Sequence, residues 1–171
     1  MRSSVVRAVS LFFGLAVGAS VSPASPQDTT EKVVTVEQRA QLAERLSTRL
    51  RTEVTSFEPG WELSESKEPN ALLEWTKGKT RLTVRFAVHE TKAAAAQGMN
   101  AKLEVARKVT NFKGRPLGMG DEGFYFGPSG GTPTFFRDGN FEIFIGAPSE
   151  TVAKRVAEIV HREIQALIPE P

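Results

Sequence analysis

The stretch TFFRDGNFEIFI, residues 134–145, decides the fold because it encodes two strands joined by a tight turn. Aromatic and aliphatic residues lie on both sides of Asp138-Gly139, and an Asp-Gly pair between such runs is a strong hairpin signal. The pattern predicts a strand over residues 134–137, a turn at Asp138-Gly139 and a strand over residues 140–145. Because a hairpin pairs its strands antiparallel, we expect a mostly antiparallel sheet.

Other short apolar segments predict the remaining strands. The clearest is residues 81–89, where Leu82, Val84, Phe86 and Val88 alternate with more polar positions. Such alternation is typical of a strand with one face on a core. Further strands are predicted at residues 61–63, 72–75 and 124–126, which gives about six strands in all.

Three amphipathic segments predict helices over residues 35–53, 92–108 and 149–167. The first begins with Thr35 and Gln38, which fit a capping box in which each side chain bonds the backbone N–H of the other residue. Helices that pack on a hairpin-linked sheet define the α+β class. We therefore expect a mostly antiparallel sheet of about six strands with two or three packed helices.

The N-terminus has the pattern of a secretory signal, assigned to residues 1–19. Arg2 and Arg7 form a basic head, and an uncharged apolar run with small residues at its end follows. The run is too short for a membrane span, which needs about 20 apolar residues. Cleavage is expected after Ala19 or after Ala24. We therefore expect an exported protein, periplasmic or extracellular, with no membrane span once the signal is removed.

The segment that follows, residues 20–34, is rich in Ser, Pro and Thr and predicts a flexible leader. Residues 35–171 are expected to form a single α+β domain, since their length is typical of one domain. The chain contains no cysteine, which excludes disulfides, thiol catalysis and cysteine-based zinc sites.

The charge balance argues against a nucleic-acid partner. The chain carries 22 Lys and Arg against 20 Asp and Glu. Two of the basic residues, Arg2 and Arg7, belong to the predicted signal, so the remainder is neutral. Nucleic-acid binding needs a clustered basic surface, whereas Lys and Arg alternate here with Glu.

The adjacent acids Asp121 and Glu122 lie among the glycines of residues 118–123. Glycines let a backbone approach a ligand closely, and paired carboxylates can share a proton or bind a cation. In this interpretation Arg137 would hold an anionic substrate. Neighbouring residues at a strand usually point to opposite faces, however, so a turn with two exposed acids is the alternative.

Six of the 11 phenylalanines lie within residues 124–144, and strand alternation cannot send all of them to one face. We expect Phe144 on the face away from the core, joined by Tyr125 and by one residue of the pair Phe135-Phe136, near Arg85. Either the first helix covers this face and creates a three-layer core, or the face is an open aromatic-basic binding surface.

The two histidines, His89 and His161, are expected to be ordinary surface residues. His161 lies far from the apolar stripe of the last helix, and His89 ends a strand on its wetter face. The H-E-x-x-H spacing of zinc proteases does not occur in the sequence. Neither a metal nor a cofactor is expected.

The C-terminal part of the chain carries a resemblance. Residues 120–124 read G-D-E-G-F, residues 136–140 read F-R-D-G-N, and an amphipathic helix follows. This order resembles small exported bacterial domains of uncharacterised function that carry a G-D-E-x-[YF] … R-x-G-N pattern, and it covers about residues 118–167. Gly123 replaces their usual Ala. The resemblance implies an α+β fold and a bacterial envelope location, and it supplies no catalytic residues.

No combination of acid, base, nucleophile and metal ligands is evident in the sequence. The leading hypothesis is therefore an exported, non-catalytic binding or accessory protein of the bacterial cell envelope, with an unknown protein or small-molecule partner. One alternative is a small hydrolase or ligand-processing enzyme that uses Asp121 and Glu122. Another is a protein–protein adaptor that uses the aromatic sheet face. The candidate ligand-binding residues are Asp121, Glu122, Tyr125, Arg137, Arg85 and Phe144.

Overall fold

The computed structural model describes residues 33–64, 72–110, 114–126 and 132–168. The chain divides into two units at residue 30, and all of the described residues belong to the second. The predicted signal, and the predicted leader up to residue 32, lie outside the described residues. In chain order the helices and strands are α1 (Val36–Ser56), β1 (Glu62–Ser64), β2 (Leu72–Lys77), β3 (Thr80–Val88), α2 (Lys92–Thr110), β4 (Arg115–Pro116), β5 (Glu122–Tyr125), β6 (Thr132–Asp138), β7 (Phe141–Ala147) and α3 (Glu150–Gln165).

Within the described residues, the strands form one seven-stranded sheet in the order β1-β2-β3-β7-β6-β5-β4, with every neighbouring pair antiparallel. The predicted α+β class is confirmed, with seven strands rather than six. The additional strand is β4, whose Arg115 pairs with Tyr125 of β5. A two-residue strand that contains a proline at a sheet edge has no alternation by which the sequence could reveal it.

The predicted hairpin is confirmed as β6 and β7, although its turn lies one residue later than expected. Asp138 pairs with Phe141, so the loop consists of Gly139 and Asn140 and Asp138 ends the strand. Gly139 has φ 57°, the left-handed conformation that a two-residue hairpin loop requires and that glycine adopts without strain.

Helices α1 and α3 pack together on one side of the sheet, which we call the first face. The capping box of Thr35 and Gln38 is confirmed at the start of α1, and the Ser149 side chain caps α3 by accepting a hydrogen bond from the N–H of Val152. Both caps provide acceptors for backbone N–H groups that have no partner within the helix. The largest side chains buried in this core are Trp75, Phe136, Phe141, Leu46, Leu50, Leu73, Leu82, Ile143, Ile145 and Ile164.

One carboxylate interrupts the apolar stripe of α3. The Glu163 side chain is only 8% exposed, and its oxygens accept hydrogen bonds from Arg49 of α1 at 3.0 Å and from Arg162 at 2.9 Å. Burial raises the pKa of Glu163, but the hydrogen bonds from the two guanidinium groups outweigh it, and the net pKa lies below the ordinary 4.5. The ion pair between α1 and α3 is thus a charged contact inside an apolar interface.

Helix α2 packs on the opposite side, which we call the second face, and covers β6 and β7. Met99 and Leu103 of α2 are buried there with Phe126, and Ala106, Phe124 and Phe135 pack around them. The expectation that α1 covers this face is therefore wrong. The fold is nevertheless three-layered, because α2 packs on this face in its place.

The distribution of aromatic side chains is partly as expected. Phe144 lies on the second face, and its ring centroid is 5.0 Å from that of Phe135. Tyr125 does not join it and is buried in the first-face core. Because Tyr125 alternates along the chain with Phe124 and Phe126, those two residues take the second face instead.

A buried carboxylate also joins α2 to the sheet. The oxygens of Glu142 on β7 contact the Nζ of Lys102 and, at 3.0 Å, the Nε2 of His89. Gly98 of α2 lies directly above, where a Cβ would be 2.5 Å from the Glu142 Oε2. A side chain at this position would displace the Glu142 carboxylate or the His89 ring. None of the described helices has the length and apolar character needed to cross a membrane.

Replacement of Glu163 by Gln should make the free energy of unfolding vary less with pH in the acid range. Because the folded pKa lies below the unfolded value of 4.5, the charged carboxylate stabilises the protein fully above that pH and loses its contribution as the pH falls through the folded pKa. At neutral pH the variant should lose about 1 kcal/mol, a modest figure because both arginines are half-exposed.

Urea unfolding as a function of pH measures this difference. The gap between the two proteins should close as the pH is lowered below 4.5. Glu158→Gln, at an exposed position of α3, is the control and should leave stability unchanged. A gap that stays constant across the acid range would contradict the role assigned to Glu163.

Candidate functional site

An open cleft of about 580 Å³ lies where the β6–β7 hairpin meets α3. We call it the hairpin cleft. Its walls come from three separate parts of the chain: the loop before β5, the last residue of β6, and the final turns of α3. It is lined by Gly118, Met119, Gly120, Asp121, Asp138, His161 and Gln165.

The most deeply placed polar group of the cleft is the carboxylate of Asp138, whose side chain is 6% exposed. It accepts hydrogen bonds from the Nδ1 of His161 at 2.5 Å and from the Nε2 of Gln165 at 2.8 and 3.0 Å. A buried carboxylate is tolerated only where such donors replace water. The two donors are one turn apart on α3 and so share a face of that helix.

The contact with Asp138 determines which way His161 presents its ring. A carboxylate accepts but does not donate, so the Nδ1 of His161 donates to Asp138 and the Nε2 is the ring nitrogen left available. Among the described residues, no group donates to this Nε2. The expectation that His161 is an ordinary surface residue is therefore wrong. His89, likewise, is bound to the buried carboxylate of Glu142.

Asp121 forms the outer lip of the cleft and is tied to the hairpin by one oxygen. Its Oδ2 accepts from the Nη1 of Arg137 at 2.6 Å and from the backbone N–H of Gly139 at 2.9 Å. Its own N–H donates to the carbonyl of Arg137 at 2.8 Å. Gly120 makes this possible, because its φ is 66° and a Cβ there would collide with the Arg137 carbonyl.

The remaining predicted site residues do not converge on the cleft. Glu122 pairs with Arg137 across β5 and β6, and by alternation it lies on the second face. Arg85 and Phe144 are direct neighbours on β3 and β7, also on the second face, where Arg85 is exposed. Tyr125 is buried on the first face, where burial and then the carboxylates of α3 raise its pKa.

Sequence reasoning singled out Asp121 and Arg137, which the structure brings together, but it missed the group behind them. The hairpin pattern predicts a turn at Asp138, and the apolar stripe of α3 places His161 away from the core; Gln165 is not singled out. The available signal was the spacing of His161 and Gln165, which places both on one helical face. The carboxylate they bind is more than 20 residues earlier in the chain, and local periodicity cannot connect the two.

A second groove, of about 500 Å³, lies between α1 and α3 and is lined by Glu44, Arg45, Thr48, Arg49, Ala166 and Leu167. Its polar side chains are exposed residues of α1, and Arg49 is already bound to Glu163. The groove therefore has no buried polar group that faces a ligand, and the hairpin cleft is the better candidate site.

The chemistry of the hairpin cleft is that of a polar binding site. It contains an oriented imidazole and two carboxylates, but neither a serine nor a threonine lines it. No group of three or more His, Asp and Glu side chains in the described part of the chain is arranged to hold a metal ion. Comparisons with protein-family models, curated proteins and solved structures found no match, so function has to be inferred from this geometry.

Two substitutions of Asp121 should lower the free energy of unfolding to different extents. Asp121→Ala should cost about 1–2 kcal/mol, because the Gly139 N–H and the Arg137 guanidinium both lose an acceptor. Asp121→Asn should cost less, since its amide oxygen can still accept one of these bonds. Urea unfolding of the three proteins measures the series, and equal losses for Asn and Ala would contradict this role of Asp121.

Proposed function

We propose that this chain is an exported, non-catalytic binding domain that serves as an accessory protein of the bacterial cell envelope and holds a small polar ligand in the hairpin cleft. The observation that carries the proposal is the buried Asp138 carboxylate, which orients His161 at the wall of an open cavity. Buried polar networks at a concave surface are typical of ligand sites.

The geometry favours binding over hydrolysis by Asp121 and Glu122. Asp121 lines the cleft, but Glu122 lies on the second face of the sheet, so the two carboxylates do not face one substrate. Asp121 is also committed through Oδ2 to the hairpin. With these contacts Asp121 holds the hairpin in place and can accept a hydrogen bond from a ligand. It does not serve as one half of an acid–base pair.

The adaptor hypothesis receives less support from the packing. Most of the aromatic side chains of the second face lie beneath α2, where Phe126 and Phe135 meet edge to face at 5.5 Å. Of the predicted site residues on this face, Arg85 is exposed and Phe144 is half-buried. A partner would thus find little contiguous apolar surface there, which makes the hairpin cleft the stronger candidate.

A fragment screen observed by two-dimensional NMR of the purified protein tests the binding proposal. Small polar fragments should shift the backbone signals of Gly118, Gly120 and Asp138 saturably, and their own spectra should remain unchanged on long incubation. Chemical conversion of a fragment that is abolished in Asp121→Asn, while the NMR spectrum shows that the variant is folded, would favour the hydrolase instead. The absence of any saturable shift at the cleft would contradict binding there.

Export is tested through the mature N-terminus. Expression of the full chain in a Gram-negative host should deliver periplasmic protein whose mass corresponds to a start at Ser20 or Ser25, the residues that follow the two expected cleavage positions. Replacement of Arg2 and Arg7 by Glu removes the basic head and should retain uncleaved protein in the cytoplasm. Unprocessed cytoplasmic protein from the unaltered sequence would contradict export.

A further inference from the structure

The side chains that line the hairpin cleft present acceptor atoms to a ligand. Two of its acceptor atoms, the Oδ1 of Asp121 and the Nε2 of His161, have no hydrogen-bond donor among the described residues. The amide nitrogen of Gln165 is used by Asp138, which leaves the Gln165 carbonyl oxygen as a third acceptor. A ligand that fits this cleft must therefore bring its own N–H or O–H groups.

The charge of the cleft narrows the class of ligand further. Two aspartates line it, and neither lysine nor arginine does. Arg137 lies behind Asp121 and neutralises it only in part, through the Oδ2. An anionic ligand would meet the half-exposed Asp121 carboxylate without a cation in front of it, whereas a cation is attracted by that carboxylate.

We propose that the hairpin cleft binds the primary ammonium group of a small organic amine; this inference rests on the binding function proposed above. An ammonium group carries three N–H donors and one positive charge, so it can donate to Asp121 Oδ1 and to the Gln165 carbonyl oxygen, and also to the Nε2 of His161 when the ring carries a single proton. Gly118 adds no side chain to the cleft wall, and a Cβ there would meet no atom within 4 Å, which leaves room for the ligand carbon chain.

The test uses three probes of equal length that differ only in their end groups: putrescine, butane-1,4-diol and succinate. Each is titrated into the purified protein and followed by NMR through the backbone signals of residues 118–121 and 138 and the ring signals of His161. Putrescine should produce saturable shifts confined to the cleft. Butane-1,4-diol should bind at least about tenfold more weakly, because it lacks the charge that strengthens a hydrogen bond to a carboxylate.

Variants separate this site from general attraction of an amine to surface carboxylates. Asp121→Asn should weaken putrescine binding by about tenfold or more, because the ion pair is lost. Gln165→Lys keeps a donor beside Asp138 but places an ammonium group in the cleft itself, so a folded variant should no longer bind putrescine. Glu104→Gln, at an exposed carboxylate of α2, should bind as the unaltered protein does.

Each outcome decides the question. Saturable binding of succinate, or of the diol as tightly as putrescine, would overturn the ammonium assignment while leaving a ligand site in the cleft. Shifts spread over the surface and unaffected by Asp121→Asn or Gln165→Lys would show non-specific attraction and overturn it as well. If none of the three probes moves the cleft signals, the inference fails, and the fragment screen decides separately whether the cleft binds anything else.

Discussion

The pairing of β6 with β7 is the constraint on which the rest of the structure depends. Helix α3 packs on one face of this hairpin and α2 on the other, so both helical layers rest on the same two strands. The register sets Phe136 against Ile143 towards α3 and Phe135 against Phe144 towards α2. A shift by one residue would exchange the two faces and bring charged side chains into both apolar layers.

The hairpin buries a carboxylate on each face, and the contrast between them explains why only one belongs to a candidate site. Glu142 is bound by His89 and by Lys102, and it is closed in beneath Gly98 of α2. Asp138 is bound by His161 and Gln165 at the edge of α3, beside an open cleft. The first carboxylate joins two layers of the fold, whereas the second leaves its histidine accessible to a ligand.

Local signals predicted the elements well where they were complete within one segment. The capping box at Thr35, the hairpin around Gly139 and the cap of α3 at Ser149 each rely on residues within a few positions of one another. The strand β4 was missed because two residues at a sheet edge carry no periodic pattern. Tyr125 was placed on the wrong face because alternation fixes only relative orientation, and the strand was read without its partner.

The candidate site was predicted only in part, for the same reason. Asp121 and Arg137 stood out because glycines and a hairpin surround them, and they do form an ion pair. Asp138 and His161 belong to different elements, and no residue next to either one in the sequence indicates that their side chains meet. The pairing depends on the angle at which α3 crosses the end of β6, a quantity that side-chain periodicity does not contain.

Short-range hydrogen bonds and the alternation of apolar residues were sufficient to predict the α+β class, the order of the helices and of every strand except β4, the hairpin and the helix caps. The tertiary structure alone decided that α2, rather than α1, covers the second face, and that Asp138 meets His161 beside a cleft. Those outcomes depend on which apolar surfaces bury most area together and on which donors then reach a carboxylate withdrawn from water. Both are properties of the packed chain as a whole.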